Sequence, residues 1–195
     1  MYYIVSLDEQ PDGFAMISTS ASWEQWLKAN IPHPLAQLVR ARLRSNLKHI
    51  LVGLELKAAL IQPHHDQHGV LFAPYFQAII SEFCFGAFSV LEGLGVANWL
   101  AQEGLDGSGG PYPGREQWTN ALVQAFDPEG EFGLADATER TRSVRDRLHQ
   151  DRLAIREDID WHAFSYEAGF APAISAIRTL LRSHAELVPQ TSNLP

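Results

Sequence analysis

Apolar residues recur every three or four positions along most of this chain, a spacing typical of α-helices. Over residues 35–61 they alternate with arginine, asparagine and lysine, which predicts an amphipathic helix that ends before Pro63. Residues 74–103 are apolar on almost every side, which predicts a second long helix at the centre of the fold. Further helices are predicted over residues 115–126, 134–156 and 172–187.

The first thirty residues have a different pattern. Two short apolar runs, 2–5 and 14–17, flank a turn-rich segment, which predicts a small β-hairpin. Ser22 and Gln25 fit a capping box at the start of a short helix. The sequence thus predicts one mainly α domain over residues 1–195, a bundle of about four long helices with short connecting helices. The hairpin and short helix form an appendage (1–30), the bundle spans 34–188, and a flexible tail follows (189–195).

Three glycines interrupt the most apolar helix, although glycine lowers helix propensity. We expect Gly86, Gly93 and Gly95 to mark close approach of neighbouring helices. The glycine-rich segment 104–114 predicts a loop, and it lacks the lysine and the hydroxyl residue of a phosphate-binding P-loop.

The composition is that of a soluble globular protein, with 46% hydrophobic and 19% charged residues. The single cysteine, Cys84, excludes a disulfide within the chain and a zinc site built of thiolates. The longest apolar run, 83–91, is shorter than the roughly 20 residues of a membrane span. The first residues have no basic segment of the kind that opens a signal peptide. We therefore expect a cytoplasmic protein without a membrane partner.

The net charge of −8 argues against a protein that coats nucleic acid through bulk charge. Arginines nevertheless cluster in the helix predicted over 134–156. At about 100° per residue, five side chains fall within about 80° of one another on this helix. They are Arg142, Arg145, His149, Arg152 and Arg156.

Arginine and histidine on one ridge suit phosphate chemistry. Guanidinium groups bind phosphate oxygens as a fork, and a histidine with a pKa of about 6.5 transfers protons near neutrality. Such a ridge can activate a ribose 2′-hydroxyl against its own phosphodiester without a metal or cofactor. In this hypothesis His149 is the acid/base, and Arg142 and Arg145 hold the scissile phosphate. Arg152 and Arg156 extend the phosphate track.

The run from Arg145 to His149, late in an all-α bundle and after a glutamate-bearing apolar helix, resembles the motif of the HEPN superfamily. That motif is an arginine, usually followed by a polar residue, and a histidine after a gap of four to six residues. Arg142 and Ser143 fit with a gap of six, whereas Arg145 and Asp146 leave a gap of three, so either arginine is a candidate.

The HEPN resemblance implies a helical bundle, often a homodimer in which two motifs meet at the interface. It also implies a metal-independent ribonuclease of the toxin or RNA-processing type, or an inactive member that serves as a binding module. Glu82 and Asp146 are candidates to orient the arginines and the histidine.

Two other functions are compatible with the sequence. Glu139 and Asp146 are spaced to pair with the arginines within the helix. The chain would then be a non-catalytic dimeric bundle, an antitoxin-like binding module whose arginine face is an interface. Alternatively, His64, Asp66 and His68 supply metal-ligand types, although Pro63 and Gly69 predict a loop there and no further ligand is evident.

Overall fold

The computed structural model describes residues 18–66, 73–147, 161 and 164–195, and in these ranges the protein is mainly α-helical and has no strand. The predicted α class is confirmed, whereas the predicted hairpin falls in residues 1–17, outside the described ranges. The helices are α1 (Glu24–Asn30), α2 (Gln37–Asp66), α3 (Ala73–Gln102), α4 (Arg115–Phe126), α5 (Leu134–Asp146) and α6 (Ala171–Arg182). A 3-10 turn (Ser20–Trp23) precedes α1, a π-helical turn (Tyr166–Phe170) leads into α6, and a second 3-10 turn (Ala185–Leu187) follows it.

Helix α3 is the centre of the fold, as its apolar pattern predicts. It contacts α2, α4, α5, α6 and the π-helical turn. Phe83 packs on Phe170 with ring centroids 4.7 Å apart, and Phe88 meets Trp118 edge to face at 5.7 Å. Because neighbours surround α3 on several sides, its sequence is apolar nearly all round instead of along one stripe.

The glycines of α3 allow its neighbours to approach. A Cβ atom on Gly86 would lie 2.9 Å from Leu54 of α2, and one on Gly93 would lie 3.3 Å from Leu43. On another side of α3, a Cβ on Gly95 would lie 2.6 Å from Trp118 of α4. The predicted close approach is therefore confirmed at all three positions. Gly86 faces Leu54 and Gly93 faces Leu43, so residue numbers rise along α3 as they fall along α2, and the two helices run antiparallel.

Four segment ends differ from the sequence prediction. Helix α5 ends at Asp146 instead of residue 156, and α6 ends at Arg182 instead of residue 187. The predicted ridge that runs to Arg156 on one continuous helix is therefore helical only as far as Asp146 among the described residues.

Helix α2 passes through Pro63 and ends at Asp66, so the helix tolerates the loss of the one backbone hydrogen bond, to the Ala59 carbonyl, that a proline cannot donate. The tail after residue 188, expected to be flexible, lies against the helical body. Leu194 is fully buried, because burial of an apolar side chain is favourable. Arg178 also donates a hydrogen bond to the Leu194 carbonyl at 3.0 Å.

The segment Pro74–Gln102 is long and apolar enough to cross a membrane, by length and composition alone. It is longer than the apolar run 83–91 because it includes the two glutamates that bound this run, Glu82 and Glu92. More than half of its most apolar 18-residue stretch, 56%, is buried inside the fold, a property that core helices of soluble proteins also have.

Candidate functional site

A buried carboxylate fixes the start of α5, the helix that carries the candidate arginines. Asp127, only 2% exposed, accepts hydrogen bonds from the backbone N–H of Phe132 at 3.2 Å and of Leu134 at 3.0 Å. A carboxylate at this end of a helix also complements the helix dipole. Ala137, Thr141 and Val144 are buried, so the opposite face of α5 is turned outward with its arginines.

Arg142 is held by two carboxylates of its own helix. Its Nε donates to Glu139 at 3.0 Å and its Nη2 lies 2.5 Å from the other Glu139 oxygen. Its Nη1 donates to Asp146. The side chain is 23% exposed, so all three nitrogens of this guanidinium are engaged at the edge of the surface.

Arg145 shares the same acidic partner. Its Nη1 donates to the second oxygen of Asp146 at 2.9 Å, and its guanidinium carbon lies 5.1 Å from the centre of the Phe88 ring. Asp146 thus bridges the two arginines. The two guanidiniums and the two carboxylates of this face have no net charge.

The ion pairs shift the pKa values of this cluster. The hydrogen bond from Arg142 holds the pKa of Glu139 below its usual value, against a smaller opposing effect of burial. The same hydrogen bond raises the pKa of Arg142. Each partner therefore keeps the other ionised, as expected for carboxylates next to guanidinium groups.

The other candidate residues are not part of this cluster. Glu82 extends from α3 toward α2, where its carboxylate lies 3.6 Å from Lys57 Nζ instead of contacting Arg145. His149, Arg152 and Arg156 lie outside the described residues. Cys84 is buried, and burial raises its pKa to about 12, so its thiol is not a nucleophile at neutral pH.

The predicted metal loop is in part helical, because α2 extends to Asp66. The side chains of His64, Asp66 and His68 lie outside the described residues. Among the side chains that are described, no group of three or more His, Cys, Asp or Glu is placed to hold a metal ion.

Sequence reasoning missed a fully buried carboxylate, Glu55 of α2. One oxygen accepts from the backbone N–H of Ser18 at 2.5 Å and the other from the Trp23 indole at 2.8 Å. Ser192 also bonds to it, and burial raises its pKa above the ordinary value. The signal was present in the sequence, because Glu55 follows the apolar stripe of α2 next to Leu54 and one turn after Leu51.

A shallow apolar groove runs along the seam between α2 and α3, with a volume of about 280 Å³. It is lined by Leu35 just before α2, by Val39 and Leu43 of α2, and by Ser89, Glu92, Gly93, Val96, Ala97 and Leu100 of α3. Most of these side chains are half-buried, so the groove is open to the surface.

Comparison of the chain with known proteins gives no match among family models, curated proteins or solved structures.

Proposed function

We propose that this protein is a non-catalytic helical bundle that acts as a binding module. The observation that supports this function is the occupation of the two candidate phosphate-binding arginines by carboxylates of their own helix. A phosphate that bound to Arg142 and Arg145 would have to displace Asp146 from both guanidiniums. It would also meet the negative charge of Glu139, which raises the free energy of the bound state.

A ribonuclease of the HEPN type is the second candidate. It is favoured by the convergence of two arginines on Asp146, less than one helical turn before His149 in the sequence. Surface ion pairs contribute only about 0.2–1 kcal/mol each, so an RNA phosphate that binds strongly can replace a carboxylate. In that case His149 would act on the 2′-hydroxyl while Arg142 and Arg145 stabilise the charged phosphate.

RNA cleavage in excess EDTA distinguishes the two functions. The purified protein is incubated with several RNAs beside a His149→Ala variant whose circular dichroism spectrum matches that of the wild type. The binding-module proposal predicts no cleavage by either protein. Metal-independent cleavage that disappears only in His149→Ala would overturn it in favour of the ribonuclease.

A second pair of variants checks the role of Asp146. The Asp146→Asn change removes a negative charge that opposes a phosphate, so a ribonuclease should bind RNA more tightly after it. For a binding module without an RNA site, fluorescence anisotropy with a labelled RNA should give the same weak binding before and after the change. The matched control is Asp136→Asn, which removes the carboxylate paired with Arg140 on the same helix.

A further inference from the structure

The groove between α2 and α3 is an apolar surface that is partly exposed to solvent. Val39, Leu43, Val96 and Leu100 are apolar yet half-exposed along it. Gly93 lies in its floor, where a Cβ atom would already meet Leu43 at 3.3 Å. A surface of this kind gains free energy when another apolar surface covers it.

The charges beside the groove are separated by sign. On α2, Arg42 is exposed next to the lining residue Leu43 and Lys57 pairs with Glu82 across the seam, whereas Arg44 pairs with Glu24 of α1. Helix α3 has two charged residues, both glutamates, Glu82 and Glu92. Thus the charges beside the seam are cations on α2, Arg42 and Lys57, and carboxylates on α3, Glu82 and Glu92.

Two charged side chains beside the groove have no ion-pair partner among the described residues. Arg42 of α2 and Glu92 of α3 are both exposed, whereas Lys57 and Glu82 further along the seam already pair at 3.6 Å. A Cβ atom on Gly93 would lie 3.3 Å from Leu43 and 3.4 Å from Leu47, so Arg42 and Glu92 lie within about one turn of each other along the two antiparallel helices.

We propose that a second copy of this chain packs on the groove, so that α2 of each copy lies across α3 of the other. A twofold axis parallel to the groove exchanges the left and right sides and keeps the height along the helices. It therefore brings Arg42 opposite the partner's Glu92 and, by symmetry, Glu92 opposite the partner's Arg42. The inference deepens the proposed binding function by naming the partner.

The charge pattern selects this arrangement over the other twofold arrangement. An axis across the groove would place α2 on α2 and α3 on α3, which brings cations onto cations and carboxylates onto carboxylates. Like charges opposed across an interface cost several kcal/mol. Only the axis parallel to the groove places the cations of α2 opposite the carboxylates of the partner's α3. This self-complementarity favours a second copy of the chain over an unrelated protein.

The two helices are long enough for such an interface. Each has 30 residues and extends for about 45 Å at 1.5 Å per residue. A stable interface of roughly 800 Å² per partner therefore needs the exposed seam of both helices beyond the groove itself. The result is an intermolecular four-helix bundle with the apolar groove at its centre.

Sedimentation equilibrium of the full chain tests the proposal. We expect a species of twice the 21.7 kDa of one chain. Arg42→Glu and Glu92→Arg should each weaken the dimer by at least about tenfold, because each change creates two like-charge contacts across the twofold axis. The double variant, Arg42→Glu with Glu92→Arg, exchanges the two sides and should restore the affinity to near that of the wild type.

A matched control and a second variant make the outcome decisive. Glu129→Arg makes the same charge change as Glu92→Arg on an exposed turn outside the groove, and it should leave the dimer intact. Val96→Arg places a charge in the half-exposed groove and should give a folded monomer by circular dichroism. A monomeric wild type overturns the proposal, as does a dimer that is insensitive to Arg42→Glu and Glu92→Arg.

These results are independent of RNA cleavage. RNA cleavage that depends on His149 would overturn the binding-module function and leave the interface to be judged by sedimentation. A monomeric protein without nuclease activity would overturn the interface and leave the binding function with another partner.

Discussion

Two groups of carboxylates in this protein have opposite surroundings. Glu55 is fully buried and is surrounded by neutral donors: a backbone N–H, an indole and hydroxyl groups. Glu139 and Asp146 lie at the surface of α5 and are bound by guanidinium groups. Burial raises the pKa of Glu55, whereas the Arg142 hydrogen bond lowers the pKa of Glu139.

Of these three carboxylates, Glu55 is the one that connects distant parts of the fold. The surface pairs lie within one helix, at spacings of one, three and four residues, so they hold no two elements together. Glu55 instead joins α2 to the segment before α1 and to the tail after α6. Glu55, which has no cationic partner, therefore connects separate parts of the fold, whereas the ion pairs of Glu139 and Asp146 stabilise only α5.

The largest effect is expected from Glu55→Ala. This change leaves the Ser18 N–H and the Trp23 indole buried without acceptors and opens a cavity. We expect a loss of about 3–5 kcal/mol in the free energy of unfolding. Urea denaturation measures it, with Glu82→Ala as the control, because Glu82 is 65% exposed and pairs only across the surface. Equal losses in the two variants would contradict the structural role of Glu55.

The next effect is a pH dependence that belongs to Glu55. Its folded-state pKa lies above the ordinary value of 4.5, so the folded protein binds a proton that the unfolded chain has released. Stability from this group is thus fully present below pH 4.5 and falls as pH rises through the raised pKa. Glu55→Gln removes the titration. The difference in unfolding free energy between wild type and Glu55→Gln should grow in favour of the wild type as pH falls from 7 toward 4.5; no change with pH would refute it.

A smaller effect is expected from Asp146→Asn. The change weakens the ion pairs with Arg142 and Arg145, which are partly exposed and screened by water. We expect a loss of less than about 1 kcal/mol, and less in high salt than in low salt. Thermal unfolding at two ionic strengths measures it. A loss as large as that of Glu55→Ala would mean that this surface cluster supports the fold.

The smallest effect is expected from Glu139→Gln, and its pH dependence has the opposite sign. The pKa of Glu139 is lowered in the folded state, so its contribution is present above pH 4.5 and is lost as pH falls through the lowered value. Because this carboxylate is 54% exposed, we expect only a few tenths of a kcal/mol. Unfolding curves at pH 7 and pH 3 compare the two proteins, and a larger difference at pH 3 would contradict the assignment.

The sequence predicted those features that depend on repeated local signals. The apolar pattern of α3 indicated its central position, and glycines at positions 86, 93 and 95 indicated where other helices approach. The spacing of Glu139 and Asp146 from Arg142 indicated pairing within the helix, although the ridge alone did not tell whether a phosphate or a carboxylate is bound.

Features that depend on contacts between distant segments could not be predicted in this way. The predicted end of α2 was wrong. Proline disfavours the interior of a helix, but here the helix continues past Pro63 to Asp66. Glu55 looked like one more charge on an amphipathic helix, since its partners Ser18 and Trp23 lie more than thirty residues away. The groove and its two charged sides became visible only when α2 and α3 were placed side by side.

The contact between Ser18 Oγ and Thr191 Oγ1, at 3.0 Å, spans 173 positions of the chain. Closing so long a loop in an unfolded chain is entropically unfavourable, and little is gained until the helices between the two residues have packed. The segments that contain Ser18 and Ser192 should therefore dock on Glu55 late in folding and detach from it early in unfolding. Hydrogen exchange at the Ser18 amide and the Trp23 indole would then follow this partial opening, while amides of α3 exchange only when the whole domain unfolds.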